Sequence, residues 1–370
     1  MIFMPEKAER LKNKLTELKT EYSKTKYNKA TDKHLGILRA KIAKVKQDII
    51  VASKKARGQG FFVRKSGDAT IALIGFPNAG KSSLINMLAN TRSRTADYAF
   101  TTLTVVPGTM VYRDAHIQIF DLPGLLLGAH EGKGGGSEVV SAAKSADLIV
   151  FVISVEDVKT LDVLMSELSY FDIKINKEVP NIQVMKAKKN IGVKIEVNKS
   201  QLPANAIETI LNSFGIYNAE VRLWDDVSED ELISVLSNKA KYVRAIVALN
   251  KIDLASDYAE IAEDIKKRYA ISVIPISITE EKNIEELKER VYGNLGLMRV
   301  YLKPELKKEA GESITIPRGS NVREVARRLH TKLVNEIRCA YVSGSSVKFS
   351  NQRVGVEHVL KDGDTITFIK

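Results

Sequence analysis

One eight-residue stretch, Gly75-Phe76-Pro77-Asn78-Ala79-Gly80-Lys81-Ser82, limits the folds open to this chain. It fits G-x-x-x-x-G-K-[ST], the pattern of a loop whose backbone N–H groups wrap phosphate oxygens. Such a loop needs a buried strand before it and a helix after it. Thr70–Ile74 is an apolar run, and Lys81 and Ser82 lead through Ser83 into a helical pattern ending at Leu88. The helix N-terminus adds partial positive charge toward an anion. Lys81 is expected to reach the β- and γ-phosphates of a nucleotide, and Ser82 to ligate magnesium.

The rest of the chain extends the same pattern. Strands are expected at Val105–Val111, Ile117–Phe120, Leu148–Ile153, Ala245–Leu249 and Ser272–Ile276. Helices are expected at Thr160–Tyr170, Tyr258–Tyr269 and Ile284–Tyr292. This alternation predicts a parallel α/β sheet with helices on both faces. Between about Asp172 and Lys241 the pattern is different. Strands at Ile182–Val184, Val193–Val197 and Ala219–Leu223 mix with helices opened by Pro203 and by the Ser228/Glu231 capping pair. A 70-residue structureless loop is improbable, so an inserted α+β domain is expected. Trp224 is expected in its core.

Residues 1–66 carry 18 Lys and Arg against 6 Asp and Glu. Leu11, Leu15, Leu18 and Tyr22, then Leu35, Leu38, Ile42, Val45 and Ile49, recur at spacings of 3 and 4, the seam of a helical hairpin. The break falls near Asn28–Ala30, and Arg57-Gly58-Gln59-Gly60 reads as a joint. Residues 299–370 are also basic, 14 against 8, while the middle is acidic. Basic ends around an acidic centre suggest ends that meet a polyanion; solvated lysine-rich faces are the plainer alternative. After Leu297, strands at Ser313–Ile316, Ala340–Val342, Ser346–Phe349 and Thr365–Ile369, with a helix capped by Asn321, suggest a separate β-rich unit. The single cysteine, Cys339, allows no internal disulfide, and no apolar run reaches the roughly 20 residues of a membrane span. No apolar segment of signal-peptide length follows Met1–Lys7. A cytoplasmic setting is expected. His34, His116, His130, His330 and His358 show no metal-ligand spacing and read as surface or packing residues.

Two further motifs follow strands. Asp121-Leu122-Pro123-Gly124 comes about 40 residues after the phosphate loop. Asp121 can hold a magnesium-bound water, and Gly124 can offer its N–H to a γ-phosphate. Asn250-Lys251-Ile252-Asp253 follows Ala245–Leu249. The Asp253 carboxylate can accept from N1–H and the N2 amino group of guanine, a pair that adenine lacks. Ser277-Ile278-Thr279 ends the next strand and can offer backbone N–H to guanine O6. The order places the ligand at the carboxyl ends of parallel strands.

Together these motifs resemble the small regulatory GTPase domain. Asn78, Asp97-Tyr98-Ala99-Phe100-Thr101-Thr102-Leu103 and Gly128-Ala129-His130-Glu131-Gly132-Lys133-Gly134 are similar to the Obg branch of translation-associated GTPases. The hairpin, the insertion and the C-terminal unit resemble the developmentally regulated GTP-binding protein family of archaea and eukaryotes. Asn351-Gln352-Arg353-Val354-Gly355 and Asp362-Gly363-Asp364 look like a TGS domain, a ubiquitin-like β-grasp unit. The organisation this implies is a Ras-like P-loop GTPase domain in two parts, 67–171 and 242–298. Flanking it are a basic helical hairpin at 1–66, the inserted α+β domain at 172–241 and the TGS domain at 299–370.

The resemblance implies GTP and GDP as ligands, with magnesium held by Ser82, Thr102 and, through water, Asp121. Thr101 and Thr102 are both expected among the nucleotide-binding residues, Thr102 as the switch ligand of magnesium. Leu125 stands where Ras-like enzymes carry the glutamine that orients water, so slow intrinsic hydrolysis is expected. Asn78 departs from many eukaryotic members, which carry serine. Related enzymes with a loop asparagine often hold potassium beside the phosphates, and Asn78 is then a ligand; otherwise it only stabilises the loop. Lys81, Thr102, Gly124 and Asn78 are thus the expected catalytic set. The implied role is a monomeric cytoplasmic switch in translation, with the ribosome or ribosomal RNA and a protein regulator as partners, and no membrane. The rival is a nucleotide-sensing scaffold or stress-alarmone-binding module with negligible turnover. An ATPase is disfavoured by Asp253.

Overall fold

The computed structural model describes residues 4–25, 34–42, 44–45, 67–89, 107–122, 136–187, 192–197, 200–238, 240–303, 311–330 and 333–369. Two compact units divide the chain: 1–62 with 169–242, and 63–168 with 243–370. Among the described residues, no helix is long and apolar enough to cross a membrane.

The larger unit is built on a mostly parallel sheet. Its strands are β1 (Ala69–Ile74), β2 (Pro107–Tyr112), β3 (Ala115–Leu122), β4 (Leu148–Ser154), β9 (Lys241–Asn250) and β10 (Ser272–Pro275), in the order β10-β9-β4-β1-β3-β2. Every residue of β1 and β4 is buried, which is why both read as unbroken apolar runs. Strand β2 runs antiparallel to β3, and their hairpin turns at Arg113 and Asp114, both in the left-handed region. Helices α3 (Lys81–Leu88), α4 (Gly136–Ser145), α5 (Thr160–Tyr170), α8 (Tyr258–Tyr269) and α9 (Ile284–Leu295) belong to the same unit. Helix α4 and a short helix over Leu333–Glu336 add to the elements that the sequence pattern predicts.

A second sheet in this unit has the order β12-β11-β15-β13-β14. Its strands are β11 (Leu297–Leu302), β12 (Ser313–Pro317), β13 (Cys339–Ser343), β14 (Gln352–Gly355) and β15 (Thr365–Ile369). Helix α10 (Val322–Leu329) starts at Asn321, whose side chain accepts from Glu324 N in a full capping box. It lays Val322, Val325 and Ala326 into the core of this sheet. The strand expected at Ser346–Phe349 does not form. Ser346 N donates to Asp364, while Lys348 N and Phe349 N donate to the Gln352 side chain, so side chains take the amides a ladder would need. This sheet is fastened to the parallel-sheet domain by polar contacts. Asp114 accepts from Ser313 Oγ at 3.0 Å and pairs with Arg299 at 3.5 Å, and Asp68 pairs with Arg328.

The smaller unit contains α1 (Met4–Lys24), a helix α2 over 34–42 and 44–45, strands β5 (Ile173–Ile175), β6 (Ile182–Lys186), β7 (Val193–Val197) and β8 (Ala219–Leu223), and helices α6 (Ala204–Ser213) and α7 (Glu229–Ser237). The three-stranded sheet has the order β6-β8-β7. Ser228 and Glu231 form the expected capping box on α7. Leu35, Leu38 and Val45 are buried, as the seam spacing predicts. Ala40 of α2 lies within the core of the inserted domain, and Arg39 reaches Tyr22 Oη at 3.0 Å and Glu229 at 3.9 Å. Trp224 is half-buried rather than core. Ala219, Val221 and Leu223 point inward on β8, so alternation turns the next side chain outward. The expected hairpin break at 28–30 and the joint at 57–60 lie outside the described residues.

Candidate functional site: a phosphate loop and a base pocket

The phosphate loop leaves β1 and enters α3, as its sequence requires. Two glycines are fixed by space. A Cβ on Gly75 would come within 2.3 Å of the Val152 carbonyl oxygen. Gly80 has φ +99°, and a Cβ there would meet Asn250 Nδ2 at 2.4 Å. Asn78 also lies in the left-handed region, at φ 65°, and its side chain is exposed. Phe76 is half-buried, Pro77 exposed and Ala79 buried, while Ser82 and Ser83 open the first turn of α3 with exposed side chains.

Lys81 is buried and donates to the carbonyls of Gly75 at 2.8 Å and Phe76 at 3.0 Å. Burial lowers its pKa, and the Asp121 carboxylate opposes that shift. Asp121 is at the end of β3, 3.5 Å from Ser82 Oγ. Burial raises its pKa against the pull of Lys81 and Ser82. Its Oδ1 is buried without a hydrogen-bond partner among the described residues. An orphaned carboxylate oxygen beside a hydroxyl is a donor set that suits a hydrated magnesium ion.

The base-reading motif is tied to this loop. Asn250, at the end of β9, donates from Nδ2 to the Ala79 carbonyl at 2.9 Å and accepts from Ile278 N at 3.3 Å. Lys251 takes a left-handed turn, φ 64°, into a 3-10 turn over Ile252–Leu254 that presents Asp253. Ser277 Oγ donates to Asp253 Oδ1 at 2.6 Å. Ser277 N donates to the Lys282 carbonyl and Ile278 N to Asn250, so among the described residues Thr279 is the member of the Ser277-Ile278-Thr279 triplet whose N–H is left for a ligand. The ammonium of Lys251 pairs with Glu156 at 3.0 Å, a contact that motif spacing does not reveal. The signal available for Glu156 was its place just past the carboxyl end of β4, where ligands of such sheets gather. Thr101, Thr102, Gly124, Leu125 and His130 lie outside the described residues.

The parallel sheet therefore brings Gly75–Ser83, Asp121, Asn250–Asp253 and Ser277–Thr279 to one edge. Comparison with known proteins gives the family. Residues 70–187 match the family described as 50S ribosome-binding GTPase, 188–297 the C-terminal region of that domain, and 298–370 the TGS domain. An uncharacterised GTP-binding protein of Methanocaldococcus jannaschii is 39% identical over 362 residues, 97% of this chain and 93% of its own. Developmentally-regulated GTP-binding protein 2 of Homo sapiens is 37% identical, covering 96% of this chain and 98% of its own. Developmentally-regulated GTP-binding protein 1 of Xenopus laevis is 36% identical over the same shares. Among solved structures, a GTP binding protein from Pyrococcus horikoshii OT3 aligns with 81% of this chain and 99% of its own, at 17% identity and a TM-score of 0.45. With full-length relatives at this identity, the chain belongs to the developmentally regulated GTP-binding protein family, a GTPase with a C-terminal TGS domain.

Proposed function

We propose that this protein is a slow GTP-hydrolysing switch that acts on the ribosome during translation. The observation that carries the nucleotide part is the clamp between phosphate loop and base pocket, Asn250 to Ala79, next to the Asp253 carboxylate that Ser277 orients. Asp253 selects guanine, and the Thr279 N–H is the donor for O6. Lys81 leaves its loop carbonyls for the phosphate oxygens when nucleotide enters.

Ser82 and Asp121, with Thr102 from the switch segment, are the residues that would hold magnesium. When bound, the ion neutralises charge on the β- and γ-phosphates. Thr102 and the Gly124 N–H then report the γ-phosphate, and hydrolysis releases both segments. Leu125 leaves no side chain to orient water. Asn78, exposed at the loop, is the ligand for a potassium ion that supplies the missing positive charge.

Two observations support the ribosomal part. The matched family is described as ribosome-binding, and residues 1–66 carry a large positive excess. The TGS domain and the hairpin are the surfaces offered to ribosomal RNA or a regulator. The protein works as a monomer in the cytoplasm.

The test is binding and sedimentation. GTP and GDP are expected to bind far more tightly than ATP. Cosedimentation with ribosomes is expected to differ between the GTP and GDP forms. Equal affinity for ATP and GTP would overturn the base reading. Sedimentation that ignores the nucleotide would overturn the switch. Phosphate release that stays negligible with potassium and ribosomes would favour a nucleotide-sensing scaffold instead.

A further inference from the structure

We infer that Glu156 is a positioning residue for guanine nucleotide binding, holding Lys251 in place before the nucleotide arrives. This rests on the reading of Asn250–Asp253 as the base pocket. The contacts form a chain across two strand ends. Ser154, the last residue of β4, is register-paired with Asn250, and Val155 N donates to the Asn250 carbonyl at 3.0 Å. Ser154 is buried, and its Oγ lies 3.3 Å from both Glu156 Oε2 and Glu156 N. The same Oε2 accepts from Lys251 Nζ at 3.0 Å. A buried serine thus anchors a carboxylate, and the carboxylate anchors the lysine.

The Glu156 carboxyl is held below the usual glutamate range, chiefly by that hydrogen bond, so it stays charged for the task. A lysine side chain has large rotamer freedom, and the freedom it keeps when unbound must be surrendered on binding. Tethering Lys251 in advance removes part of that loss. Because Lys251 stands between Asn250 and Asp253, the benefit falls on the nucleoside end of the ligand. GDP and GTP should therefore gain equally, while the choice of guanine remains with Asp253.

A double-mutant cycle on the full-length protein tests this, with GDP and GTP affinities as the readout. Glu156→Gln is expected to weaken both nucleotides about threefold, the scale of a partly exposed ion pair. In the Lys251→Met background, Glu156→Gln is expected to cost nothing further. A merely structural role predicts the same loss in both backgrounds, and that additive result would overturn the inference. Unchanged GDP affinity in Glu156→Gln would overturn it as well. If the wild type prefers GDP over ADP while the cycle is additive, only the role of Glu156 is lost. If the wild type shows no such preference, the base pocket itself has been misread.

Discussion

Asn250 Nδ2 donates to the Ala79 carbonyl at 2.9 Å, so the residue that opens the base-reading motif also braces the phosphate loop. Its Oδ1 accepts from Ile278 N, which ties in the third segment of the pocket. One carboxamide thereby couples three loops from three different strands. Asn250→Ala strands a buried carbonyl and a part-buried N–H at a cost of about 1–3 kcal/mol. GDP affinity is expected to fall about tenfold or more, and thermal unfolding to move to lower temperature. Titration calorimetry and a melting curve check both.

Asp253 and Ser277 are expected to separate selectivity from affinity. Asp253→Ala removes the acceptor for two guanine donors, so GTP binding should fall steeply while ATP binding hardly changes. Ser277→Ala removes the 2.6 Å bond that aims the carboxylate, together with the bond that Ser277 Oγ accepts from Glu280 N. It should weaken GTP about fivefold, in line with about 1 kcal/mol for one hydrogen bond, and keep the preference for guanine. Competition binding with GTP and ATP distinguishes the two.

Hydrolysis is expected to be faster in potassium than in sodium, and Asn78 to carry that difference. Alanine at this left-handed position adds backbone strain of about 1 kcal/mol, which would confuse the result. Asn78→Gly keeps the backbone and removes the carboxamide. It should lose most of the potassium response while GDP binding is retained. Steady-state phosphate release in the two salts is the measurement, and equal wild-type rates would leave Asn78 a structural residue.

Ribosome association is expected to fall steeply with salt, because lysine-phosphate contacts release counterions. Deleting the hairpin is a poor test, since Ala40 is part of the inserted domain's core and Arg39 contacts Glu229. Lys14, Lys24 and Lys41 are exposed on α1 and α2. Replacing all three by Gln should weaken cosedimentation several-fold and leave GDP binding and unfolding temperature unchanged. Wild-type sedimentation of that variant would shift the anchor to the TGS domain or a protein contact.

Tyr269 sets an alkaline limit. Burial, and then its hydrogen bond to Asp162, push its hydroxyl up to about 12. The raised value means that the contribution is complete below the ordinary tyrosine pKa of about 10 and is lost as pH rises toward 12. Tyr269→Phe should be less stable than the wild type at neutral pH, with the gap closing across that window. Denaturant melts at several pH values, with absorbance titration of the phenolate, follow it.

The nucleotide motifs and the strands that carry them were legible because local chemistry demands them. A phosphate loop needs Gly80 where φ is positive, and β1 and β4 need apolar residues on both faces. The starts of α7 and α10 were legible for the same reason, since a capping box is written within four residues. Pairings between distant segments were not. Nothing near Ala40 says that it joins the buried cluster of Ile207 and Leu211, because burial depends on what the chain brings opposite. The boundary at residue 298 blurs for that reason too: Leu297 packs in the GTPase core while Met298 and Val300 of the same strand pack in the TGS core. The motif by itself proposes Asp253 as the base selector. That Ser277 aims it, that Asn250 clamps Ala79 and that Glu156 holds Lys251 are facts of the folded sheet, whose strand order places these side chains within hydrogen-bond reach.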